Sequence, residues 1–90
     1  MSLAWRIEVS ETAKRALGKL DRATAQRIIL FLRQRLAPAA DPRALGKPLR
    51  GPLREYWRYR VGDYRLICDI QDQVMRILVV EVGDRKDVYR

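Results

Sequence analysis

Hydrophobic and polar positions alternate along this chain in two rhythms, and the switches between them mark its parts. From Leu3 to Val9 the run Leu-Ala-Trp-Arg-Ile-Glu-Val has period two, which predicts a half-buried strand. After Ser10 the spacing lengthens. Ala13, Ala16, Leu17 and Leu20 fall three or four apart, the stripe of a short helix with Ser10 as N-cap and Glu11 in its first turn. Asp21 is placed to cap a second helix, in which Ala25, Ile28, Ile29, Leu32 and Leu36 repeat the pattern until Pro38, which has no amide hydrogen to continue it. Residues 37 to 54 hold Pro38, Pro42, Gly46, Pro48, Gly51 and Pro52 and read as an ordered, irregular crossing. Period two then returns, predicting strands near residues 55–61, 64–70 and 73–82, with Gln71-Asp72-Gln73 turning between the last two. The order β-α-α-β-β-β predicts an α+β fold, one domain over residues 1–90, in which a helical hairpin packs on one face of a mostly antiparallel four-stranded sheet.

One segment adds chemistry to this outline. In Tyr56-Trp57-Arg58-Tyr59-Arg60-Val61-Gly62-Asp63-Tyr64-Arg65, a two-residue Gly-Asp loop with glycine first suits a type II′ hairpin turn. That turn pairs Val61 with Tyr64 and therefore Arg60 with Arg65. Arg58 shares their face, while Trp57, Tyr59 and Val61 point the other way into the core. Like charges directly across a ladder repel, so three converging guanidinium groups imply a polyanion above that face, RNA first among them.

Charge sharpens the same picture. The chain carries 19 Lys and Arg against 11 Asp and Glu, a net charge of +8. Residues 43 to 65 hold seven cations (Arg43, Lys47, Arg50, Arg54, Arg58, Arg60, Arg65) against Glu55 and Asp63, a local excess of five, whereas residues 66 to 82 run acidic. An anionic partner is expected, either nucleic acid or an acidic protein. With no histidine and the single cysteine Cys68, His/Cys zinc sites and His-based triads are excluded, and no metal or cofactor is expected. Cys68 follows Tyr64 and Leu66 on the alternating face and reads as a core residue. No secretory leader and no long apolar segment is evident, so a cytoplasmic protein is expected, away from membranes. The arginines of the helices, Arg15, Arg22, Arg27, Arg33 and Arg35, read as the solvated side of amphipathic elements.

The end of the chain, Val82-Gly83-Asp84-Arg85-Lys86-Asp87-Val88-Tyr89-Arg90, brings further cations and a tyrosine onto the strand expected beside the hairpin. Arg58, Arg60, Arg65, Arg85 and Tyr89 would then surround one phosphodiester. Lys47, Arg50, Arg54 and Lys86 would hold the flanking RNA. Cleavage by the RNA's own 2′-hydroxyl needs in-line positioning, charge on the phosphorane neutralised, and a proton acceptor and donor, without any metal. Arginine supplies the charge but keeps its proton, so proton acceptance falls to Tyr89, Lys86 or Lys47.

Pro48-Leu49-Arg50-Gly51, the Trp57–Arg65 hairpin and the Val82–Tyr89 ending together resemble the RelE side of the RelE/ParE toxin superfamily, over essentially the whole chain. The resemblance implies the toxin of a type II toxin-antitoxin system, a metal-independent endoribonuclease that cuts messenger RNA in the ribosomal A site by 2′-hydroxyl attack. It also implies a cognate antitoxin that wraps and silences the toxin. On this footing Arg58 and Arg60 stand where the family places catalytic basic residues, commonly lysines. Arg65 matches the arginine on the scissile phosphate, Arg85 a second one, and Tyr89 the tyrosine that orients or stacks on the substrate. Asp84 departs from the pattern, standing where many relatives carry histidine. The alternatives are a ParE-like inhibitor of DNA gyrase and a catalytically inactive binding protein of the same fold.

Overall fold

A computed structural model describes residues 4–53 and 55–84, the side chain of Leu53 excepted. Strand β1 (Arg6–Val9) leads into helix α1 (Glu11–Gly18) and helix α2 (Arg22–Phe31), and after a long crossing come β2 (Lys47–Pro48), β3 (Trp57–Val61), β4 (Tyr64–Gln71) and β5 (Arg76–Asp84). The α+β class, the capped helix pair and the three late strands follow the sequence expectation. The strand count does not: the described residues form a five-stranded sheet in the order β1-β5-β4-β3-β2. The added strand is two residues from the crossing, with Lys47 paired to Arg58 and Pro48 to Trp57. A proline without an amide hydrogen fits there because the strand is short and lies at the sheet's edge. β1 runs parallel to β5, and the remaining pairs are antiparallel.

Both predicted caps are in place. Ser10 Oγ accepts the amide of Ala13 at 3.1 Å and donates to the carbonyl of Val80 at 2.9 Å. Val80 is where β5 bulges, since Ile67 pairs with Glu81 but Cys68 with Val79. The hydroxyl therefore satisfies a helix terminus and an interrupted ladder together. Asp21 accepts the amide of Thr24 at 3.2 Å and its hydroxyl at 2.6 Å, which holds its carboxyl below the ordinary value. Beyond Phe31 the helix widens into a π-helical turn over Leu32–Leu36, closed by the Ala37 amide on the Leu32 carbonyl at 2.9 Å. The wider turn keeps both Leu32 and Leu36 buried, and the freed carbonyl of Ala37 takes the amide of Trp5 at 2.8 Å. Among the described residues no helix is long and apolar enough to cross a membrane.

The helices cover one sheet face, where Ala13, Ile28, Leu32 and Leu36 meet Tyr59, Leu66, Cys68, Ile77, Val79 and Val82. Ile29, expected in the stripe, lies at its exposed margin with Leu30. Tyr59 is the largest fully buried side chain. Its ring tilts against Phe31 at 5.9 Å, and its hydroxyl donates to the Pro42 carbonyl at 2.8 Å. The crossing passes close over this tyrosine at Gly46, where a Cβ would stand 2.6 Å from the Arg58 carbonyl and 2.7 Å from the Tyr59 ring. Only a residue without a side chain allows that approach. Burial pushes the Tyr59 hydroxyl well above its ordinary range and the Cys68 thiol up to about 12.

Tyr59→Phe leaves the Pro42 carbonyl without its donor and should lower unfolding stability by about 1–2 kcal/mol in urea, at unchanged m-value; Gly46→Ala should cost more, because backbone must move. The Cys68 thiol, whose ordinary value is 9.0, binds its proton more tightly in the folded than in the unfolded chain. This contribution is complete below pH 9 and is lost as pH rises toward 12. The urea midpoint should fall across that window, and less steeply in Cys68→Ala.

Candidate functional site

The site begins with the β3–β4 turn. Gly62 has φ +60° whereas Asp63 is not left-handed, the combination that distinguishes type II′ from type I′. The turn fixes the expected register: Val61 opposite Tyr64, Arg60 opposite Arg65, and Arg58 opposite Ile67. Because Tyr59, Leu66 and Cys68 are buried on the helical side, Arg58, Arg60 and Arg65 share the open face. β2 then adds Lys47 directly beside Arg58. These four cations border a cleft of about 430 Å³, which Ala44, Leu45 and Gly46 of the crossing also line.

Arg60 and Lys47 are exposed, and Arg58 and Arg65 are half-buried with the Nε of Arg65 fully enclosed. Arg58 and Arg65 are also engaged with their surroundings. Half-burial limits the rotamers of these two side chains and aims their guanidinium groups. A cationic cleft of this size accepts a phosphodiester with its sugar. Arginine forks match phosphate oxygens in pairs, and the exposed Lys47 amine is the group nearest to a proton carrier among the described cleft residues. Tyr59 also lines the cleft, but its proton is tied to the Pro42 carbonyl and held tightly by burial, so it serves as floor rather than as acid or base.

Other residues of the predicted cationic stretch are placed elsewhere. Arg43 makes a two-pronged pair with Asp72, at 3.0 and 2.6 Å, and lies 5.9 Å from the Trp57 ring. The hydrogen bonds from Arg43 hold the Asp72 carboxyl below its usual value, and the same bonds raise the already high value of the guanidinium. Arg43 thus staples the 3-10 turn over Pro42–Leu45 to the turn before β5, and it leaves the cleft. Arg50 is exposed and does not line the cleft. Arg54, Arg85, Lys86 and Tyr89 lie outside the described residues. The helical arginines Arg15, Arg22, Arg27, Arg33 and Arg35 are exposed, as expected of a wet face.

At the far end of the open face the cations are matched. Glu8 receives Arg6 at 3.3 Å and Arg76 at 3.8 Å, Arg76 also donates to Gln71, and Gln71 donates to Asp69 at 2.9 Å. The cations near β1 thus have acidic and amide partners, while Lys47, Arg58, Arg60 and Arg65 gather at the hairpin end. The wall formed by Ala44–Gly46 was not singled out in the sequence as part of a site; its signal was Gly46 immediately before Lys47-Pro48, a residue that permits close approach.

Comparison with known proteins agrees with this architecture. The chain matches the family model for the ParE toxin of type II toxin-antitoxin systems over residues 7–89. It is 31% identical to Toxin RelG of Mycobacterium tuberculosis over 88 residues, covering 98% of this chain and 99% of that protein. It is also 31% identical to Toxin RelE of the same organism over 87 residues, covering 96% and 87%. Among solved structures, a chain of the toxin-antitoxin complex RelBE2 of M. tuberculosis superposes with a TM-score of 0.85 at 29% identity, covering 97% of this chain and 98% of that one. The intact RelBE complex of E. coli shares the fold, with a TM-score of 0.72 at 22% identity over 90% of this chain and 96% of that chain. The fold, the matched family model and these relatives together make this chain a member of the RelE/ParE superfamily of type II toxins.

Proposed function

We propose that this toxin is a metal-independent, ribosome-dependent endoribonuclease that acts on messenger RNA in the A site of cytoplasmic ribosomes and is held inactive by a cognate antitoxin. The convergence of Arg58, Arg60, Arg65 and Lys47 on one cleft carries the reading. The scissile phosphate sits between Arg60 and Arg65, with Arg58 on a second oxygen. The 2′-oxygen attacks phosphorus in line, the bond from phosphorus to the 5′-oxygen breaks, and a 2′,3′-cyclic phosphate and a free 5′-hydroxyl result. The attacking hydroxyl gives its proton to a neighbouring acceptor, and the departing 5′-oxygen takes one. Arg85 and Tyr89, outside the described residues, keep the phosphate-binding and substrate-orienting roles that the resemblance gives them, with Lys86 and Arg54 along the RNA. Acid-base help typically contributes about two to four powers of ten, so alignment and charge neutralisation supply the larger share.

The antitoxin partner is supported by the solved relatives, several of which are toxin-antitoxin complexes. An acidic segment laid over the hairpin end would neutralise the cleft and exclude RNA at once. A second reading is favoured by the matched family model, which is described for ParE toxins. In that case the same cationic face would dock on DNA gyrase.

Addition of the purified toxin to a translating extract, with transcript ends mapped, should give codon-phased cuts, while supercoiling by gyrase stays intact. Whole transcripts together with blocked supercoiling would reverse the assignment. Arg65→Ala should reduce cutting by about two to three powers of ten, the scale of losing one preorganised donor to a developing oxyanion. Its circular dichroism should match that of the unmodified protein. Undiminished cutting in this variant would remove Arg65 from the phosphate site.

A further inference from the structure

The cleft wall has a second side. Ala44 and Leu45 border the cationic cleft on one flank and, on the other, a shallow trough of about 450 Å³ floored by Pro38, Ala39 and Ala40. The two concavities therefore share one ridge. Leu45 is 38% exposed on it, a large apolar side chain standing in water between a cationic surface and an apolar one. Its lining also takes in Gln34 and Arg35 from the π-helical turn and Asp41, all exposed. Resting on the nuclease assignment, we infer that this trough is a nucleobase subsite. A nucleotide whose phosphate lies between Arg60 and Arg65 passes its base over the Leu45 ridge into the trough, where the base edge is read by Gln34 and Arg35.

Several features of the surface fit a base rather than another ligand. A nucleobase has an apolar face and a polar edge, and the trough combines Pro38, Ala39, Ala40 and Leu45 with the polar Gln34, Arg35 and Asp41, the last of which already accepts the Arg43 amide at 3.1 Å. The Gln34 amide carries both a donor and an acceptor, and the Arg35 guanidinium carries only donors, the set with which side chains distinguish base edges. Single-stranded RNA presents bases unstacked, so each can shed water against an apolar surface while its edge is hydrogen-bonded. The ridge is also fixed in position. The Pro42–Leu45 turn is tied down by Tyr59 on the Pro42 carbonyl, by the Arg43–Asp72 pair and by the tight passage of Gly46, so Leu45 is held at a constant height between phosphate and base. The subsite thus sets which nucleotide beside the scissile bond is preferred, separately from the arginines that neutralise charge.

The test is end-mapping of transcripts cut in a translating extract by the unmodified toxin, Leu45→Ala and Leu45→Met. The unmodified toxin should discriminate between bases at one position beside the cut. Leu45→Ala should cut with that discrimination reduced by about tenfold, the scale of one base contact, and Leu45→Met, which restores apolar bulk, should recover it. A uniform slowing in Leu45→Ala with the same base preference, or an unchanged pattern and rate, overturns the subsite and leaves the nuclease assignment standing. Absence of cutting by the unmodified toxin overturns the nuclease assignment and the subsite with it.

Discussion

The structure depends on a buried hydroxyl. Tyr59 sits at the centre of the core with its oxygen out of reach of water, and a polar atom in that position must find a partner or cost the fold about 1–3 kcal/mol. Its partner is the Pro42 carbonyl in the crossing between helices and sheet. That bond, together with the Arg43–Asp72 pair and the pairing of Lys47 with Arg58, holds a proline-rich segment down on the sheet. The close approach is possible only because Gly46 brings bare backbone against the aromatic ring. Once the crossing lies there, Lys47 falls into register with Arg58, and Ala44 and Leu45 line the cleft together with the arginines. The cleft is thus a by-product of satisfying the core, and stability and site geometry share their determinants.

Charge is distributed by the same economy. The open sheet face carries cations at both ends, yet near β1 Arg6 and Arg76 are paired with Glu8 and Arg76 also donates to Gln71, and Arg43 is bound to Asp72. Exposed pairs of this kind contribute little to stability, but they decide where positive potential survives. The hairpin end gathers Lys47, Arg58, Arg60 and Arg65 from β2, β3 and β4. On this sheet face those four cations border one cleft, while the exposed arginines of the helices lie elsewhere.

Much of this was legible in the sequence because it is local. The Gly62-Asp63 pair sets its own turn, and a two-residue turn dictates every pairing on the hairpin, so the opposition of Arg60 and Arg65 needed no knowledge of the remaining fold. Ser10 and Asp21 cap helices through amides three residues away, and the three-four spacing found Ile28, Leu32 and Leu36. Two further features depended on contacts between distant segments. Lys47-Pro48 became a strand because the Tyr59 hydroxyl and the Arg43–Asp72 pair hold the crossing down, and a proline at an edge does not announce itself as a strand. The neutralisation of Arg43 by Asp72 spans 29 positions, so counting charges along a window overstated what reaches the cleft. The ridge of Ala44 and Leu45 escaped notice because small and apolar residues in a loop carry no chemical signal until the loop is folded beside arginines.

The bulge at Val80 has a reach beyond its own hydrogen bond. Before it, Ile77 and Val79 face the core; after it, Val82 does. One extra residue has changed the parity of the strand, exchanging odd for even numbers on the buried side. Arg76 therefore lies on the open side, whereas Asp84, of the same parity, pairs with Tyr64 on the helical side. With Val80 set aside the ladder runs on without a break, Cys68 with Val79 and Ile67 with Glu81, so deleting Val80 would remove the bulge and leave Glu81 and Val82 on their present faces. Ser10, by holding the Val80 carbonyl, guards that phase from the other end of the chain.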